Sequence, residues 1–130
     1  MIQKSKIMNK KALDNIFGGV PSFNNSELLE VQIKRDGPTL FLRFLLHEVV
    51  KNKPKRWDKY DVIYLDISFL NIKDLIIEGV VSNNYIDSIE INELNDEGIL
   101  EIKYNNDMYI RCLFSIAYVE KIAPGIIGTF

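Results

Sequence analysis

Catalysis and metal binding draw on a short list of side chains, and this chain holds one histidine, His47, and one cysteine, Cys112. A nucleophile needs a base beside it that is itself oriented, most often an imidazole. His47 follows Leu40–Leu46 on the strand face that carries Phe41, Arg43 and Leu45, the setting of a surface or structural histidine. A zinc site draws three or four ligands mostly from Cys and His, so one of each does not supply it. Cys112 sits in an apolar run and is expected to be a small buried hydrophobe rather than a reactive thiol. The glycine pair Gly18-Gly19 is followed by Val20-Pro21, which removes a backbone donor, so it ends a helix rather than cradles a phosphate.

Three charged groups remain. Asp66, in the middle of Tyr64-Leu65-Asp66-Ile67-Ser68, could work with a second carboxylate in a small hydrolase, but alternation puts it on a polar face and predicts exposure. Lys51, Lys53, Lys55, Arg56 and Lys59 surround Trp57 and Tyr60, a mixture able to hold a phosphate backbone. A pI near 5.4 speaks against a nucleic-acid module and favours a solvated loop. Glu90, Glu93, Asp96, Glu97 and Glu101 fall on two neighbouring strands and the turn between them. If Ile89, Ile91, Leu100 and Ile102 point inward, Glu90 and Glu101 point outward on one face. That face is either a solvated surface or an electrostatic docking site for a basic partner.

The elements that must position these groups are mainly strands. Residues 9–17 read as a short helix, with Asn9 as its cap and Leu13, Ile16 and Phe17 on one side. Residues 21–26 form a turn-rich connection, and 27–35 alternate as a half-buried strand with Leu29, Val31 and Ile33 inward. Asp36-Gly37-Pro38 turns this run back onto Leu40, Leu42, Phe44 and Leu46 as a hairpin. Residues 51–60 make a loop, 62–70 a strand, 72–81 a further strand, and 85–94, 99–104 and 108–119 a three-strand meander. No alternating helices of the kind parallel crossovers require are present. The expected fold class is α+β, mainly β: a short N-terminal helix and a curved antiparallel sheet of six or seven strands. The 130 residues suit one domain, 1–130, with residues 1–8 the part least committed to it.

An apolar fraction of 47% with 26% charged residues excludes a disordered or disulfide-scaffold chain. Arg43 and Glu78 interrupt the longest apolar runs well short of a membrane span, and the lysine-rich start lacks the apolar stretch of a secretory signal. A cytoplasmic protein without membrane contact is expected. The net charge of −2 conceals a division. Residues 1–60 carry twelve basic and six acidic side chains, a net of +6, and residues 61–130 carry four and twelve, a net of −8.

The stretch Leu13 to Arg35 resembles the opening of the immunity protein 50 family of bacterial polymorphic toxin systems. That opening is a short helix, a Phe-Gly turn, a Pro-Ser-Phe segment, a His-Asp-Ala-Glu-like stretch and a strand ending in basic residues. Phe17, Gly18, Pro21, Ser22, Phe23 and Glu27 match it. Asn24 and Asn25 stand in place of His-Asp, so no imidazole or carboxylate role is carried over to them. Looser likeness continues through Asp66-Ile67-Ser68-Phe69, Asn83-Asn84, Arg111 to Ala117 and Ile122 to Gly125. The resemblance implies a non-catalytic protein that needs no cofactor and binds and neutralises a cognate toxin. The acidic residues Glu90 to Glu101 then become the expected interface for a basic toxin. The other reading is a small ligand-binding or carrier module using the concave face of the sheet, and the oligomeric state stays open.

Overall fold

The computed structural model describes residues 7–8, 17, 21, 23, 25–47, 62–79, 85–105 and 107–125. Their strands are β1 (Ile7–Met8), β2 (Glu27–Lys34), β3 (Thr39–Leu46), β4 (Val62–Leu70), β5 (Lys73–Glu78), β6 (Ile86–Leu94), β7 (Glu97–Tyr104), β8 (Tyr109–Phe114) and β9 (Ile116–Gly125). Instead of one curved sheet there are two. Five strands run in the order β1-β9-β4-β3-β2 and four in the order β5-β8-β7-β6. All neighbours are antiparallel except β1, which lies parallel to β9. The helix expected over 9–17 lies outside the described residues apart from Phe17, which is helical, and no other described residue belongs to a helix. The loop expected over 51–60 also lies outside them.

Two sheets form because each has one apolar face that only the other can cover. In β3 and β4, Leu40, Leu42, Phe44, Ile63, Leu65 and Phe69 are fully shielded from solvent, and in β7 and β8 so are Leu100, Ile102, Ile110 and Cys112. All belong to one cluster. Phe69 of the larger sheet meets Phe114 of the smaller edge to face, with ring centroids 5.1 Å apart at 72°. Gly98 lies beneath the Phe114 ring, and a Cβ there would run into it.

Both connections that carry the chain from one sheet to the other, β4–β5 and β8–β9, lie at one corner. The run expected as a single strand over 108–119 breaks at Ser115: inward residues are Ile110, Cys112 and Phe114 before it, Ala117 and Val119 after it. The alternation shifts phase because the chain leaves the small sheet for the large one. Beside this crossing β4 passes into β5 through Asn71, at φ 54°, and buried Ile72. The backbone of Ser115 donates to the Leu70 carbonyl at 2.9 Å and ties the two crossings together.

The β2–β3 hairpin and the strand over 73–78 follow the sequence expectation. Of the expected inward set of β2, Val31 packs on the core and Leu29 and Ile33 do not. A bulge at Leu29 reverses the alternation, so Leu28 is buried while Leu29 is 48% exposed. Ile33, expected inward, is exposed at the outer strand. The β6–β7 turn is Asn95-Asp96, with φ of 50° and 67°, the two left-handed positions that a two-residue hairpin requires.

Phe114→Ala is expected to destabilise the fold by about 3–5 kcal/mol, because it opens a cavity where the sheets meet. Gly98→Ala should lower stability by displacing the same ring. Urea denaturation of both variants checks this, and an unchanged midpoint for Gly98→Ala would remove the close-contact explanation.

Candidate functional site

The two outward faces differ in charge. Residues 73–114, which contain the four-stranded sheet, carry nine acidic and three basic residues, a net of −6. Glu90 of β6 stands directly opposite Glu101 of β7, both outward, as alternation predicted. Next in the row is Arg111 of β8. Glu90, Asn92, Ile99, Glu101 and Arg111 enclose a shallow hollow of about 210 Å³.

The other three acidic residues are placed differently. Glu93 pairs with Gly98 and falls on the opposite side of β6 from Glu90, exposed near the strand end. Asp96 is exposed in the hairpin turn. Glu97 is bound to Lys73 at 3.1 Å, with its other carboxylate oxygen buried and unpartnered. Glu101 accepts a 2.7 Å hydrogen bond from the Tyr109 hydroxyl and lies 3.8 Å from Lys103. Burial, then this contact with Glu101, raises the Tyr109 pKa. The structure therefore brings Glu90 and Glu101 together, and ties Glu97 to a cation. The outermost strand β6 and its turn keep Asp87, Glu90, Glu93 and Asp96 with no basic residue from 86 to 96.

The outward face of the five-stranded sheet holds a constellation the sequence did not reveal. Asp66, expected to be exposed, is 4% exposed. Its reason for burial is Arg43, directly opposite on β3, whose Nε and Nη2 donate to the two carboxylate oxygens at 2.8 and 3.0 Å. Arg43 Nη1 also donates to Glu30 of β2 at 3.2 Å. The hydrogen bond to Asp66 raises the Arg43 pKa above its ordinary value, against the opposing effect of burial. Register extends the row to Lys121 of β9, so Glu30, Arg43, Asp66 and Lys121 cross four strands with alternating charge. The second carboxylate that a hydrolase would need is thus tied to the same guanidinium as Asp66.

Other candidate residues serve the fold. His47 is exposed, its Nε2 3.9 Å from Glu27. Phe17, Pro21 and Phe23 are buried, and Phe23, at φ 61°, packs edge to face on Phe44 at 5.1 Å. Ser26 holds that strained turn, its hydroxyl and backbone N–H donating to the Phe23 carbonyl at 2.7 and 3.1 Å. The Ser26 carbonyl in turn accepts from Ile86 at the start of β6. Asn25 is exposed at φ 57°, and Gly18, Ser22 and Asn24 lie outside the described residues. So do Lys51 to Tyr60.

A family model for immunity protein 50 matches residues 9–125. The chain belongs to the immunity protein 50 family. Comparison with curated proteins and with solved structures found no match. Of the family-like segment, the described Phe17, Pro21 and Phe23 are buried and Asn25 is exposed.

Arg43→Met should destabilise the chain by about 1–3 kcal/mol, since it strands a buried carboxylate, and adding Asp66→Asn should restore part of that loss. A double-mutant cycle in urea measures the coupling, and strict additivity would show that the pair contributes nothing jointly. Cys112 is buried and its thiol is pushed up to about 12 from an ordinary 9.0, chiefly by desolvation. The unfolded chain releases this proton near pH 9 while the folded chain keeps it, so stability should fall as pH rises from about 9 towards 12. Cys112→Ala should flatten that slope, and alkylation of the native thiol below pH 9 should proceed only as fast as global opening.

Proposed function

We propose that this chain is a non-catalytic immunity protein that binds a cognate toxin domain in the cytoplasm and blocks its active surface. The observation that carries the reading is the family match over nearly the whole length. The interface we favour is the acidic edge of the smaller sheet: Glu90 and Glu101 on its outer face, with Glu93, Asp96 and Glu97 at the adjoining hairpin end.

Charge supports this placement. Glu90, Glu101 and Arg111 form a cross-strand row with one negative charge in excess, which favours the approach of a further cation. An acidic strand at a sheet edge steers a basic protein on approach and resists pairing with a second copy of itself. The toxin would accordingly present lysines and arginines there, as a nuclease does.

Association with the toxin domain recovered from the same cells should slow steeply between low and physiological salt. Glu90→Lys together with Glu101→Lys should weaken the complex at least about tenfold, the equivalent of one lost charge-assisted contact. Affinity indifferent to both salt and charge reversal would move the interface elsewhere on the molecule.

A further inference from the structure

A hollow of about 500 Å³ opens on the outward face of the larger sheet, over the Arg43–Asp66 pair. Its floor is Arg43, Asp66 and Tyr64, with Leu29 and Glu30 on the β2 side and Lys121 and Ala123 on the β9 side. A regular antiparallel sheet puts neighbouring residues on opposite faces, yet Leu29 and Glu30 both line this one. The cause is the bulge at Leu29. A second bulge, at Glu120, lies between Lys121 and Val119 on the other flank. The larger sheet is thus distorted on both sides of one charged row, and bulges of this kind re-aim side chains beside binding sites.

Each carboxylate oxygen in the hollow already holds one protein donor, and several donors there are unused. Both oxygens of Asp66 accept from Arg43, and those of Glu30 accept from Arg43 and from Gln32. The donors are not exhausted. Arg43 has five N–H groups and uses three, and Lys121 makes no ion pair and the Tyr64 hydroxyl no hydrogen bond among the described residues. Asp66, buried and bidentate, fixes the guanidinium before any ligand arrives, and Phe41 lies 5.8 Å from it. Apolar surface from Leu29, Tyr64 and Ala123 adjoins these donors.

We propose that this hollow binds a carboxylate carried on an apolar body, the carboxylate between Lys121 and the two unused N–H groups of Arg43 and the body against Leu29, Tyr64 and Ala123. The inference is independent of the acidic interface, which lies on the other sheet. The carboxylate comes either from a free small acid or from the C-terminal residue of a peptide segment, and the two sources share this chemistry.

The test is a titration of the isotope-labelled full chain, followed by the backbone amides of β2, β3, β4 and β9 and the Arg43 Nε–H resonance. Phenylacetate and its neutral counterpart phenylacetamide are the small probes, and a tetrapeptide ending in Phe with a free or an amidated terminus is the other pair. Saturable shifts with a carboxylate and not with its amide support the site. Whichever pair gives the tighter binding identifies the source. Lys121→Gln should weaken binding about tenfold while leaving the remaining amide spectrum in place. No saturable shift with either carboxylate, equal binding of the amides, or indifference to Lys121→Gln would overturn the assignment.

Discussion

The fold depends on the meeting of two apolar sheet faces, and the contact of Phe69 with Phe114 is where that meeting is most direct. Neither sheet could keep its inner face in water, since Leu40, Leu42, Phe44, Leu100, Ile102 and Ile110 all have zero exposure once the two are packed. The corner at Leu70 and Ser115 holds the sheets together, because the β4–β5 and β8–β9 connections both pass from sheet to sheet there and are hydrogen-bonded to each other. Consuming the inner faces leaves two outward faces of different character: an acidic one bordered by β6, and one crossed by the alternating row from Glu30 to Lys121.

The most recognisable part of the family-like sequence, Phe17 to Glu27, contributes several side chains to the core. Phe17, Pro21, Phe23 and Ser26 are buried, and the turn they form is bound through Ser26 to the start of β6. This segment joins the core of the larger sheet to the outermost strand of the smaller one.

Alternation made much of the sheet legible. It placed Leu40, Leu42, Phe44 and Leu46 inward, set Glu90 beside Glu101, and marked Cys112 as buried. It failed wherever the period of two was interrupted. The bulge at Leu29 exchanged Leu28 for Leu29 on the inward side of β2, while Val31 packs on the core as expected, and the phase change at Ser115 concealed a passage between sheets inside what reads as one apolar run. Division into two sheets was not visible for the same reason, since strand pattern reports which side is apolar and not which strand lies alongside. The burial of Asp66 was hidden by distance in the chain: its partner Arg43 is 23 residues away, and only register brings them together. Lys73 and Glu97, 24 apart, met unseen for the same reason and took one carboxylate out of the expected acidic cluster.

The central claim is that the acidic edge of the smaller sheet is where this immunity protein meets its toxin. Hydrogen–deuterium exchange of the chain, free and with its toxin domain bound, addresses it directly. Slowed exchange concentrated in residues 86–101, the β6–β7 hairpin, is the predicted result. Slowed exchange confined to β2, β3 and β9, with that hairpin unchanged, would contradict it.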